Sequence, residues 1–102
     1  MPAESLLEKK IVAHATKLGM LSFKFTSPSQ KGVPDRIFIH KGHVLFLEIK
    51  APKKRPTQLQ MRTLTKLRDH GAACWWTNDF TEACNILEMF RDSPASFNSY
   101  YQ

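Results

Sequence analysis

The chain has 102 residues, enough for one domain with one core, and its 15 Lys and Arg against 9 Asp and Glu leave a net charge of +6 that points to a polyanionic partner, most simply nucleic acid. A hydrophobic fraction of 42% with seven Phe excludes a disordered polyelectrolyte, and no apolar run approaches the ~18 residues of a membrane span. The start, MPAESLLEKK, lacks the apolar segment of a secretory leader, and Cys74 and Cys84 stand in no metal spacing, so a cytoplasmic protein with reduced thiols is expected.

Residues 5–18 read as an amphipathic helix. Leu7, Ile11, Val12, Ala15 and Leu18 share one sector opposite Lys9, Lys10, Thr16 and Lys17, and Gly19 is the stop. LSFKFT at 21–26 alternates apolar and polar residues as a strand does, and SPSQKGVP is a loop. Residues 35–40 and 44–50 are apolar runs separated by Lys41-Gly42-His43, a hairpin signal. APKKRP is a basic loop, followed by a helix from Thr57 to His70 with Met61, Leu64 and Leu67 at helical spacing and Gly71 as its cap. ACWWT at 73–77 is a short strand. Asp79 with Glu82 opens a last helix carrying Phe80, Ala83, Leu87 and Phe90. Residues 1–91 form a single domain on this reading, and 92–102 are a C-terminal tail with no assigned structure.

The order α-β-β-β-α-β-α makes this an α/β protein. The strand at 44–50, the helix after it and the strand at 73–77 form a βαβ unit with parallel strands, whereas the first three strands are antiparallel neighbours. A mixed sheet flanked by helices follows.

The chemistry concentrates at the end of the hairpin. Glu48 and Lys50 point to one face of their strand with Ile49 opposite. Hairpin pairing brings Asp35, just after Pro34, to the same end of the sheet. Two adjacent carboxylates resist joint ionisation, and a divalent cation removes that penalty, with oxygen ligands suiting Mg²⁺ or Mn²⁺. A lysine beside them can stabilise negative charge developing on a phosphate. The plain alternative is a Glu48–Lys50 surface pair worth roughly 0–1 kcal/mol.

Pro34-Asp35 followed by Glu48-Ile49-Lys50 resembles the signature of the PD-(D/E)xK nuclease superfamily. The stretches KFTSPSQKGVPDR, FLEIKAPKKRPTQLQ and LRDHGA are similar to its VRR-NUC branch, in the small stand-alone form of bacteria and phages. The resemblance covers roughly residues 4 to 90. It implies a restriction-endonuclease-like αβββαβ core and a Mg²⁺- or Mn²⁺-dependent deoxyribonuclease. Asp35, Glu48 and the main-chain carbonyl of Ile49 would ligate metal, and Lys50 would act near the attacking water. A glutamate on the first helix would add to the metal site. Glu8, which lies in the apolar sector, matches that place, and Glu4 is the fallback. A supporting glutamine matches Gln60, with Gln58 as competitor, although Thr57-Gln58-Leu59-Gln60 also reads as a capping box.

Lys24, Lys31, Arg36, Lys53, Lys54 and Arg55 are candidates for holding DNA backbone; the alternative for each is a solvated charge. His40 and His43 lack a third ligand and are taken as surface residues. Of Trp75 and Trp76, one is expected in the core and the other at a subunit interface. The resemblance to junction resolvases suggests a homodimer that cuts four-way (Holliday) junctions in DNA repair. The rivals are a flap-directed or restriction-like nuclease and a non-catalytic nucleic-acid-binding module. The presence of Asp35, Glu48 and Lys50 together speaks against the last.

Overall fold

The computed structural model describes residues 2–101. Its elements follow the expected order: α1 (Ala3–Lys17), β1 (Leu21–Lys24), β2 (Arg36–His40), β3 (His43–Ile49), α2 (Gln58–Asp69), β4 (Ala73–Thr77) and α3 (Phe80–Asp92). A 3-10 turn (Pro94–Ser96) and a short helix, α4 (Phe97–Tyr100), complete the chain. The sheet runs β1-β2-β3-β4, with β1/β2 and β2/β3 antiparallel and β3/β4 parallel.

Alternation along the strands sorts the two faces. Phe38, Leu45, Leu47 and Ile49 point to one side and are fully buried against Leu7, Ile11 and Ala15 of α1 and Ala83, Ile86, Leu87 and Phe90 of α3. Burying such side chains yields roughly 1.5–3 kcal/mol each, so this layer holds the fold together. Cys74 and Leu64 are buried on the opposite side, where the Cys74 thiol lies 3.3 Å from the Leu64 carbonyl and ties β4 to α2.

The hairpin closes more tightly than the sequence suggests. His40 pairs with His43, so the turn is Lys41-Gly42 alone, and both residues have positive φ as a two-residue hairpin turn requires. This register matters downstream. Arg36 pairs with Leu47, so one further step sets Asp35 across from Glu48.

The long connection from β1 to β2 is anchored at two points. Phe25 donates its N–H to the Asp35 carbonyl at 2.8 Å, extending the β1/β2 ladder past its last pair. Gly32, with φ +86°, lies so close to α2 that a Cβ there would come within 2.9 Å of Leu59 Cγ and of Thr63 Oγ1. Only a residue without a side chain fits both the left-handed backbone and that approach. The loop that delivers Asp35 is thereby seated on the helix that delivers Gln60.

The C-terminal residues differ from expectation. Residues 92–102 carry no helical or strand periodicity, yet Phe97 is fully buried, stacked on Tyr101 at 4.9 Å and edge-on to Phe90 at 6.2 Å. Asn98 then covers the edge of the sheet. Its Nδ2 donates to the Ala72 carbonyl at 2.8 Å and its Oδ1 accepts from the Cys74 N–H at 3.2 Å. One side-chain amide thus satisfies a donor and an acceptor that an edge strand leaves unpaired.

Two glycines with the same backbone conformation differ in their surroundings. Gly71 ends α2 with φ +90° and has nothing within 4 Å of where a Cβ would stand, so Gly71→Ala should cost only the backbone strain, about 1 kcal/mol. Gly32→Ala should cost about 1–3 kcal/mol more, because the new methyl must also displace Leu59 and Thr63. Urea unfolding of the two variants side by side measures the difference. Equal losses would show that the loop does not depend on this contact.

Candidate active site

Asp35 and Glu48 face each other at the end of the β2–β3 hairpin. Glu48 is only 5% exposed, an unusual depth for a carboxylate. Gln60 Nε2 donates to its Oε2 at 3.2 Å, and Lys50 Nζ lies 3.5 Å from the same oxygen. Lys50 is one strand period beyond Glu48, so the two share a face, and its side chain keeps 19% of its surface open to solvent.

Gln60 caps its helix and also reaches Glu48. Thr57 Oγ1 accepts from the Gln60 N–H at 3.1 Å, and Gln60 Oε1 accepts from the Thr57 N–H at 2.9 Å, which completes the capping box of α2. Fixing Oε1 on the backbone leaves Nε2 aimed at Glu48. The cap therefore orients the amide that holds the carboxylate. Gln58, its competitor, is exposed.

Both carboxyls are pushed toward the protonated form. Burial raises the Glu48 carboxyl to about 7, Asp35's charge adds to it, and Lys50 works against the rise. The Asp35 carboxyl is also raised, first by burial and then by the charge of Glu8, with Lys24 opposing. Among the described residues, Asp35 Oδ1 and Arg68 Nε are the buried side-chain polar atoms with no hydrogen-bond partner. Buried acceptors are nearly always paired, so a bare carboxylate oxygen next to a second carboxylate suits a bound cation. The donors are hard oxygens, as Mg²⁺ and Mn²⁺ prefer.

Glu8, the first-helix candidate, is engaged by basic side chains. Arg36 Nε donates to Glu8 Oε2 at 2.8 Å, and Lys24 Nζ lies 3.5 Å from the same oxygen. Arg36 Nη1 also donates to Ser22 Oγ at 3.0 Å. Strand alternation sends Arg36 to the α1 side of the sheet and the Asp35–Glu48 pair toward the α2 side. Glu8 thus links α1 to the sheet while its charge also acts on Asp35, and Arg36, 12% exposed, is an internal partner rather than a free surface cation. Glu4 stands one turn earlier on α1, and its charge acts on Asp35 and on Glu48. Among the described residues, no three His, Cys, Asp or Glu side chains stand close enough together to hold a metal.

The basic candidates divide by exposure. Lys31, Lys53, Lys54 and Arg55 are exposed, and the Lys24 side chain is 68% exposed although it reaches Glu8. The loop at 51–55 is ordered: Lys54 donates its N–H to the Ala51 carbonyl at 2.9 Å, and Asn78 Nδ2 donates to the Lys54 carbonyl at 2.7 Å. Trp76 pairs in register with Glu48, a neighbour that the sequence alone could not reveal because the parallel register of β3 and β4 is set across a helix.

The raised carboxyl of Glu48 has a consequence for stability without metal. The native state holds this proton up to about pH 7, whereas an ordinary glutamate loses it near 4.5. Its contribution is therefore complete below pH 4.5 and is lost as pH rises to 7. Glu48→Gln has no proton to lose. In EDTA, the stability of wild type should fall relative to Glu48→Gln by roughly 3 kcal/mol over that window, read from urea unfolding at successive pH values. Parallel curves would remove the claim of a strained carboxylate.

No family model matches the chain. It is 40% identical over 65 residues to "Putative nuclease p44" of Acyrthosiphon pisum secondary endosymbiont phage 1, an alignment spanning 63% of this chain and 70% of that protein. Its fold is similar to a solved "VRR_NUC domain", with a TM-score of 0.80 at 23% identity over 88% of this chain and 99% of the other. Sequence identity across most of the phage protein, joined to this shared architecture, makes the chain a member of the VRR-NUC family of nucleases.

Proposed function

We propose that the protein is a divalent-metal-dependent DNA endonuclease that works as a homodimer on branched DNA, four-way junctions foremost. The observation that carries the catalytic part is the pairing of buried Glu48 with half-buried Asp35, whose Oδ1 is buried and unpartnered, with Lys50 at the solvent side. Asp35, Glu48 and the main-chain carbonyl of Ile49 would hold Mg²⁺ or Mn²⁺. When bound, such an ion supplies positive charge toward a scissile phosphate and a Lewis acid for water. Both α1 glutamates act electrostatically on this pair: Glu8, held by Arg36 and Lys24, acts on Asp35, and Glu4 acts on Asp35 and on Glu48.

The chain's own residues then divide the work. Gln60 keeps the Glu48 carboxylate in one orientation. Lys50 places its ammonium between that carboxylate and solvent, where it offsets negative charge that grows on phosphate oxygens during attack. Burial of the pair makes each charge–charge contact count for more than it would in water. The exposed Lys24, Lys31, Lys53, Lys54 and Arg55 would serve as contacts for the DNA backbone, which would make binding salt-dependent.

The dimer and the junction rest on separate support. Leu21 and Phe23 alternate onto one face of edge strand β1 and are 54% and 52% exposed, with Val44 exposed on the same face of the sheet. A two-fold partner covering this face would set two sites on one DNA, as paired cuts across a four-way junction require. Among the described residues no helix is long and apolar enough to cross a membrane.

Purified protein should cut junction DNA with Mg²⁺ or Mn²⁺ and not with EDTA. Lys50→Ala should lower the rate by roughly 10²–10³-fold and Asp35→Asn by at least as much. Mg²⁺ should raise the melting temperature of wild type but not of Asp35→Asn. No cleavage of junction, flap or linear DNA with either metal would leave a nucleic-acid-binding module, and full activity in the variants would misplace the site. Equal rates on linear duplex and junction would remove junction selectivity. Light scattering should give a dimer at micromolar concentration, and Phe23→Glu should shift it to monomer.

A further inference from the structure

The nuclease reading leaves one feature beside the site without a role. Trp76 on β4 is in register with Glu48 on β3, and paired residues of neighbouring strands point to the same face, their backbones roughly 4.8 Å apart. The indole therefore flanks the carboxylate pair on its β4 side, where the sheet ends. Trp76 is half-buried, and what lies over its ring is the guanidinium of Arg55, 5.4 Å from the centroid. Arg55 is itself exposed, so this face of the indole is screened from solvent by a surface cation.

Trp75 shows the contrast. It packs against the core cluster, contacts Tyr101 and carries Arg68 at 4.7 Å, so its ring is consumed by the fold. The loop that brings Arg55 to Trp76 is also built for presentation. Lys53 takes a positive φ of 69° in the turn closed by Ala51 and Lys54, a conformation that costs a residue with a side chain, and Asn78 clamps the next carbonyl.

We propose that Trp76, together with Arg55, is a stacking platform for an unpaired nucleobase adjacent to the scissile phosphate. Every base has a π-face that can lie on an indole, and an arginine at the same ring adds a contact to base or phosphate. In continuous duplex the bases are stacked on one another and unavailable to a protein ring. The platform therefore favours DNA with an unpaired or splayed base next to the cut, which narrows the substrate class within the proposed nuclease function on which this inference rests.

The test is a binding measurement in EDTA, so that it does not depend on cleavage. In a Trp75→Phe background the emission reports Trp76. A short single-stranded oligo-dT should quench it, and a blunt duplex of equal length should quench it far less. Trp76→Leu keeps apolar bulk but removes the ring. It should melt near wild type and bind oligo-dT roughly 10-fold more weakly, with duplex affinity changed less than about 2-fold, and Trp76→Phe should restore most of the binding. Oligo-dT that leaves the emission unchanged would overturn the proposal, as would equal losses on single strand and duplex. Metal-supported cleavage by wild type reads the nuclease function independently, so either idea can fail while the other stands.

Discussion

Everything in this protein is arranged around two carboxylates that burial and mutual repulsion push toward their neutral form. Asp35 and Glu48 are brought together by a hairpin register that one tight turn determines. An isolated buried charge is expensive, and a second one beside it is more so. The fold supplies partial relief through Lys50 and Gln60 on Glu48, and leaves Asp35 Oδ1 bare. Such a pair costs folding free energy when both members are ionised. At the end of the most hydrophobic strand it amounts to stored electrostatic free energy.

The rest of the structure holds that strain in place. The core layer beneath β3 locks the strand that bears Glu48, because Leu45, Leu47 and Ile49 are fully buried between the sheet and helices α1 and α3. On the opposite side, α2 serves two anchoring functions. Its first turn orients Gln60 through the capping box, and its flank receives Gly32 of the loop that carries Asp35. A shift of α2 would therefore move the supports of both carboxylates together. Glu8 and Arg36, with Lys24 alongside, form an ionic link between α1 and strands β1 and β2, next to the site in space.

Much of this was legible in the chain. Period-two and period-3.6 patterning located the elements, and Thr57 with Gln60 announced a cap. The hairpin placed Asp35 opposite Glu48 before any coordinates. Other features were hidden for identifiable reasons. Glu8 lay in an apolar helical sector, and nothing local revealed that Arg36 would face it, because that contact depends on the β1–β2 pairing and the seating of α1. The C-terminal residues offered no periodicity, since their role rests on one aromatic plug, Phe97, and one amide, Asn98, rather than on a repeating face. Trp75 and Trp76 looked equivalent in ACWWT, and only the surroundings of each ring separate them.

The amino-acid sequence by itself determined the element order, the hairpin, which acidic and basic residues gather at its end, and membership of a nuclease lineage. These depend on residue type and spacing along a few consecutive residues, where backbone periodicity leaves few options. Tertiary structure alone decided how deeply Glu48 is buried, that Gln60 reaches it while capping its own helix, that Glu8 is held by Arg36, and that Trp76 stands beside the carboxylates. Burial and charge coupling are properties of what converges from distant parts of the chain, and a linear sequence does not carry those distances.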